Sequence, residues 1–128
     1  MFKYGIDHLT SGKAIQIATG DLQAGITQEA KKKIDNVNKT VIDIANGEAI
    51  VYGINTGFGP LCNTIIPKED TSKLQKNLLL SHSVGLGDPI DSIIAKLMMI
   101  IKVHSLSQGF SGISMEVLER IMWHIDND

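Results

Sequence analysis

The chain of 128 residues has one cysteine and few aromatic residues. The single cysteine, Cys62, excludes an intrachain disulfide and any zinc site built from several cysteines. Aromatic residues make up only 5% of the sequence, so the core is expected to consist mainly of Ile, Leu, Val and Met. Charged residues are 20%, which is ordinary for a globular protein, and this length suits one domain, predicted to span residues 1–128.

The sequence also lacks a strong charge of either sign, a long apolar run and a leader. A net charge of −2 and a single arginine, Arg120, argue against binding to nucleic acid. The most apolar run, residues 93–101, is interrupted by Lys96 and is shorter than the ~20 residues of a membrane span. Residues 1–8 lack the apolar stretch of a signal peptide. We therefore expect a cytoplasmic protein without a nucleic-acid or membrane partner.

Apolar spacing and capping residues predict a mainly α chain with a short β element near residues 49–54. The helices are predicted to run from Thr10 or Ser11 to Ala18, from Thr27 to Gly47, from Pro67 to His82, from Asp88 to Gly109 and from Ser114 to Ile125. The fourth helix is apolar on nearly every face, which indicates that protein surrounds it and favours self-association.

A glycine-rich loop, Gly53–Pro60, follows the predicted strand. It does not match a dinucleotide-binding fingerprint, because Cys62 stands where the third glycine belongs and the next helix begins several residues later. The loop is either a plain tight turn or a backbone that must approach another group closely. Tyr52 at its entry is either a surface residue or a general base, and a base near neutral pH needs a nearby cation or helix N-terminus.

The four histidines, His8, His82, His104 and His124, show no zinc-site spacing, so no metal is expected. His82 stands at a predicted helix end, where it either caps the last carbonyl groups or faces a pocket. His104, on the most apolar helix, is interpreted as a packing residue.

Three ordered motifs together identify a resemblance. They are Val51–Gly59 (VYGINTGFG), Leu74–Gly87 (LQKNLLLSHSVGLG) and Ser105–Gly112 (SLSQGFSG). In this order and spacing they resemble the aromatic amino acid ammonia-lyases, the family that acts on histidine, phenylalanine and tyrosine. The resemblance covers the chain up to Met122.

The resemblance implies the helical N-terminal domain of the aspartase/fumarase-like ammonia-lyase fold and elimination of ammonia from an aromatic amino acid. It assigns Tyr52 as the catalytic base and His82 as the residue facing the substrate side chain. The active-site loop it implies consists of Gly53, Asn55, Gly57, Phe58 and Gly59. Because Ser81-His82 resembles the version of this pair in members acting on histidine, L-histidine to urocanate is the first expectation and tyrosine to coumarate the second.

The family's electrophile, methylidene-imidazolone, forms from an internal Ala-Ser-Gly, and this sequence contains no such tripeptide. The triad is expected downstream of Asp128, in a full-length relative only. We therefore expect no cofactor in these 128 residues and no lyase activity from them alone. The alternative is a truncated, non-catalytic helical interaction domain that pairs with itself or with a longer relative.

Overall fold

A computed structural model describes residues 1–57, 59, 64 and 66–127, with backbone only at 68, 69 and 71. The chain divides into two compact units. Unit 1 comprises Met1–Lys39 and the residues from Pro89 onward, and unit 2 comprises Thr40–Asp88. The helices and strands of the chain, in order, are β1 (Phe2–Lys3), α1 (Ser11–Ala18), β2 (Ala24–Gly25), α2 (Gln28–Asn46), α3 (Lys68–His82), α4 (Ser92–Leu106) and α5 (Met115–Asn127). The predicted mainly helical fold is confirmed.

Local capping explains why most helix starts are where the sequence predicts them. The Thr10 hydroxyl oxygen accepts from the Lys13 amide at 3.3 Å, which caps α1. The Thr27 hydroxyl oxygen likewise accepts from the Ala30 amide at 3.2 Å, just before α2. Each threonine thus pairs an amide that the helix itself leaves without a partner.

The start of α4 corrects one prediction. The sequence predicts that the Asp88-Pro89 pair begins this helix, but it begins at Ser92. The carboxylate of Asp91 accepts from the Ile93 amide at 2.9 Å, so a second acidic residue provides the cap one turn later.

The β element predicted near residues 49–54 is also wrong. The Val51 amide donates to Asn55 Oδ1 at 2.9 Å, and Asn55 Nδ2 donates to the Ala49 carbonyl at 2.7 Å. The backbone groups that a strand would offer to a neighbour are therefore bound by one side chain within a turn. A β-bridge occurs at Thr56 instead, and the two described strands, β1 and β2, form a parallel pair elsewhere in the chain.

The core of unit 1 forms where α4 packs against α1 and α5. Ile100, Val103 and Leu118 are fully buried there, as the expected aliphatic core requires. Two aromatic residues also belong to it, since the rings of Phe2 and Tyr4 meet edge to face with centroids 5.7 Å apart. Burial, followed by the charge of Asp126, raises the pKa of Tyr4 to about 12.

A close backbone contact fixes the N-terminal segment on the C-terminal end of α4. Gly5 has φ of +77°, and a Cβ there would lie 2.4 Å from the Ser107 carbonyl oxygen. The Gly5 amide donates to His104 Nδ1 at 3.2 Å, which joins residues 99 positions apart. Only glycine allows both this conformation and this approach.

We expect Gly5→Ala to destabilise unit 1 strongly, because it adds a backbone clash to the strain of a positive φ. Gly20→Ala is the matched control, since Gly20 has φ of +83° with nothing within 4 Å of the place that an added methyl group would take. The control should lose about 1 kcal/mol of unfolding free energy from strain alone, and Gly5→Ala clearly more. Urea denaturation followed by circular dichroism measures both, and equal losses would contradict the contact.

His104 is a half-buried packing residue, as interpreted from the sequence, and its ring lies 5.6 Å from that of Phe2. Because Nδ1 accepts from Gly5, the ring is neutral, with its proton on Nε2. Burial lowers the pKa of His104, the charge of Asp7 opposes that shift, and His8 adds to it.

A lowered pKa in the folded state means that the unfolded chain takes up this proton first. The free energy of unfolding should therefore fall as the pH drops below about 6.5, the ordinary pKa of histidine. His104→Asn keeps an acceptor for the Gly5 amide but does not titrate, so the difference between the two proteins isolates His104. Denaturation series at several pH values test this, and parallel stability profiles would refute it.

Candidate functional site

Asn55 organises the loop that carries Tyr52. Its side chain is 4% exposed. It accepts from the Val51 amide, donates to the Ala49 carbonyl, and donates to the Ile44 carbonyl at 3.4 Å. Its backbone carbonyl accepts from the Ile66 amide at 3.0 Å. The side-chain amide of Asn55 thereby ties the turn to the end of α2, and its backbone carbonyl ties the turn to the segment leading into α3.

Thr56 and Gly57 continue this support on the buried side of the loop. The Thr56 hydroxyl is 3.4 Å from the Gly53 amide and donates to the Gly57 carbonyl at 3.1 Å. The Gly57 amide in turn donates to the Thr64 carbonyl at 3.1 Å. The described part of the loop is therefore held by hydrogen bonds from inside, more than a plain tight turn requires.

Tyr52 occupies the outer side of the same turn. Its side chain is 64% exposed, and the next residue, Gly53, has φ of +79° with no neighbour within 4 Å of a would-be Cβ. The turn closes where the Ile54 and Asn55 amides donate to the Val51 carbonyl at 3.1 and 3.3 Å. A phenol is thus presented outward on a backbone whose buried side is fixed.

His82 is the last residue of α3, as predicted, and is exposed. Its Nδ1 lies 2.9 Å from the Leu78 carbonyl and 2.9 Å from the Ser81 hydroxyl. Since a carbonyl oxygen only accepts, Nδ1 carries a proton in this arrangement, which leaves Nε2 for another partner. The histidine therefore caps a carbonyl group at the end of α3, which agrees with one of the two interpretations of the sequence.

The described contacts do not join the predicted site residues to one another. Both Tyr52 and His82 belong to unit 2, but no hydrogen bond or ring contact between them appears among the described residues. Gly59 is exposed with φ of +57°, whereas Phe58 lies outside the described residues. Within the described ranges, no group of three or more His, Cys, Asp or Glu could hold a metal ion, and no helix is long and apolar enough to cross a membrane.

The role of Asn55 as a clamp was missed from the sequence, where it is only one member of a loop motif. The available signal was its residue type, because asparagine side chains often bind backbone groups within turns. Its near-complete burial, however, is visible only in the structure.

We expect Asn55→Ala to free the loop around Tyr52. The change leaves the Val51 amide and the Ala49 carbonyl without their partner, at a cost of about 1–3 kcal/mol, so local amide exchange should rise about tenfold or more. Hydrogen exchange of residues 49–57 measures this. Tyrosine nitration gives a second readout, because Tyr4 is buried and the reaction reports on Tyr52.

Asn55→Asp and Asn77→Ala complete this experiment. The Asn55→Asp carboxylate would keep an oxygen for the Val51 amide but lose the donor to Ala49, so exchange in this variant should be intermediate. Asn77 is exposed on α3, and its replacement should leave the loop unchanged. Exchange rates in Asn55→Ala that match those of Asn77→Ala would contradict the clamp.

Comparison with known proteins gives the family. A family model described as aromatic amino acid lyase matches residues 9–128. The chain is 41% identical over 116 residues to histidine ammonia-lyase of Streptococcus sanguinis, covering 91% of this chain and 23% of that protein. It is 44% identical over 115 residues to histidine ammonia-lyase of Burkholderia cenocepacia, covering 90% and 23%.

A solved structure agrees with these sequences. The crystal structure of histidine ammonia-lyase from Trypanosoma cruzi superposes with a TM-score of 0.84 at 30% identity, covering 98% of this chain and 24% of that one. The chain thus spans about a quarter of the length of these relatives, and nearly all of it takes part in the match. It belongs to the aromatic amino acid lyase family.

Proposed function

We propose that this chain contributes Tyr52 and His82 to the active site of an ammonia-lyase acting on L-histidine, which is converted to urocanate. The observation that carries the proposal is the loop itself, because Asn55 holds its buried side while Tyr52 stands 64% exposed. The relatives reported above as histidine ammonia-lyases support the choice of substrate. A cytoplasmic location is part of the same proposal.

In this proposal each residue has one task. Tyr52 acts as the base that takes the β-proton of the substrate, and His82 Nε2 accepts a hydrogen bond from the imidazole N–H of histidine. A site built to hydrogen-bond an N–H group of the substrate discriminates strongly against side chains that cannot donate to it. L-Tyrosine is the second candidate substrate, since its hydroxyl is also a donor.

The family's electrophile is not supplied by this chain. Methylidene-imidazolone activates the amino group of the substrate for departure, but the Ala-Ser-Gly from which it forms is absent from the 128 residues. These 128 residues therefore do not form the group themselves. What they can provide is substrate binding, proton acceptance and a loop with a fixed buried side.

We expect no urocanate when the pure chain is incubated with L-histidine and absorbance is followed. Sustained turnover would overturn this expectation. The missing electrophile is the physical reason, since Tyr52 alone can remove a proton but cannot activate the leaving amine.

A chimera tests the roles of the two residues. This chain replaces the matching segment of the Streptococcus sanguinis relative, and the product should form urocanate from L-histidine. Tyr52→Phe should lower kcat by about 100-fold or more, as expected for loss of a general base, whereas Tyr4→Phe, a change in the buried core, should not. His82→Ala should mainly raise KM. Full activity of a folded Tyr52→Phe chimera would exclude the proposed base, and a preference for L-tyrosine would change the substrate.

A non-catalytic interaction domain is the second candidate function. It is favoured by a specific observation, the exposed apolar residues on α4, where Ile94, Met98 and Ile101 are 49%, 61% and 57% exposed. Lone apolar residues at a surface are ordinary, but a row on one helix face indicates a binding surface.

A further inference from the structure

The last turn of α3 holds a short chain of hydrogen bonds around His82. The Ser81 hydroxyl donates to the Leu78 carbonyl at 2.9 Å. His82 Nδ1 lies 2.9 Å from the same carbonyl oxygen and 2.9 Å from Ser81 Oγ. Several donors thus converge on one carbonyl group, and the number of its lone pairs determines how they can be satisfied.

The Leu78 carbonyl oxygen has two lone pairs. The helix itself uses one, because the carbonyl of residue 78 accepts from the amide of residue 82 in the α-helical pattern. The Ser81 hydroxyl uses the second. That hydroxyl has then donated its only proton, so its oxygen is left as the free acceptor for His82 Nδ1. Ser81 thereby links the imidazole ring to the end of the helix.

The reverse arrangement, in which the Ser81 hydroxyl donates to an unprotonated Nδ1, is excluded by the same carbonyl. It would place the Nδ1 lone pair 2.9 Å from the Leu78 oxygen, so that two acceptors would face each other without a proton between them. A neutral imidazole has two tautomers, and the hydrogen bond made by one nitrogen sets which of them is present. Here it sets the proton on Nδ1 and a lone pair on Nε2.

We propose that Ser81 is a positioning residue that fixes the neutral His82 ring in the Nδ1–H tautomer and so makes Nε2 a hydrogen-bond acceptor. This inference rests on the proposed function, since it takes Nε2 to face the substrate side chain. An acceptor there pairs with a side chain that donates, such as an imidazole N–H or a phenol O–H. It discriminates against an apolar ring, which would leave Nε2 without a partner.

Nitrogen NMR of the chain itself tests the tautomer independently of any lyase activity. At about pH 8.5, where neutral histidine predominates, long-range proton–nitrogen spectra of the histidine-labelled chain should show His82 protonated on Nδ1. Ser81→Ala should move the ratio of the two tautomers about two- to tenfold towards Nε2–H, the effect expected for the loss of one hydrogen bond. The spectrum of His82→Gln assigns the signal, because only the His82 resonances disappear from it.

Two further variants separate the hydroxyl from other effects of the substitution. Ser81→Thr keeps a hydroxyl that can still bond a carbonyl of the preceding helical turn, so it should restore the Nδ1–H tautomer. Ser83→Ala is the matched control, since no hydrogen bond between the Ser83 side chain and His82 appears among the described residues. It should leave the tautomer ratio unchanged. Circular dichroism verifies that each variant keeps its helix content.

The chimera with the Streptococcus sanguinis relative tests the consequence for the substrate. Ser81→Ala should raise KM for L-histidine about two- to tenfold with little change in kcat, because a smaller fraction of the His82 rings then offers an acceptor. Ser81→Thr should behave as the parent chimera does. A structural defect at the helix end would lower kcat as well, and the conservative threonine would not be expected to rescue KM alone.

Failure of this inference and failure of the proposed function give different results. A His82 ring protonated on Nε2 in the unmodified chain, or a tautomer ratio that Ser81→Ala leaves unchanged, overturns the role of Ser81. A parent chimera that forms no urocanate overturns the proposed function, while the NMR result still decides the tautomer. If the tautomer shifts in Ser81→Ala but KM of the active chimera does not, Nε2 does not bind the substrate and the effect of Ser81 on specificity is refuted.

Discussion

The contact of Gly5 with the end of α4 is the constraint on which unit 1 depends. Without a side chain, the backbone at Gly5 reaches the Ser107 carbonyl and donates to His104. This approach places the segment from Phe2 to Tyr4 over the apolar residues of α4, so that two aromatic rings complete an otherwise aliphatic core. The parallel pairing of β1 with β2 is only two residues long and is stabilised by this packing rather than by its own hydrogen bonds.

Unit 2 is held together by a different kind of interaction. Among its described residues, no large apolar side chain is fully buried, whereas Asn55 and Thr56 are 4% and 2% exposed. Buried polar side chains with satisfied hydrogen bonds fix geometry more sharply than apolar contacts, because each bond has a direction. The position of the Tyr52 backbone therefore depends on directional hydrogen bonds, of which those of the Asn55 amide reach furthest along the chain.

The helices were predictable from the sequence because their signals are local. Contacts between residues far apart in the sequence were not predictable. Thr10 and Thr27 cap neighbouring amides, so their effect is visible within a few residues. The strand predicted near residues 49–54 is absent because the Asn55 side chain binds the backbone groups that a strand would use. The β-propensity of single residues does not take account of such a bond. For the site, motif order predicts Tyr52 and His82, but residue types alone could not show that the loop beneath Tyr52 is clamped.

The apolar pattern of the fourth helix is only partly accounted for by packing within the chain. An apolar surface on nearly every face predicts that protein surrounds α4, and within the chain that surrounding is incomplete. Ile100 and Val103 are buried, but Ile94, Met98 and Ile101 remain about half exposed or more. The apolar residues of this helix therefore exceed what these 128 residues cover.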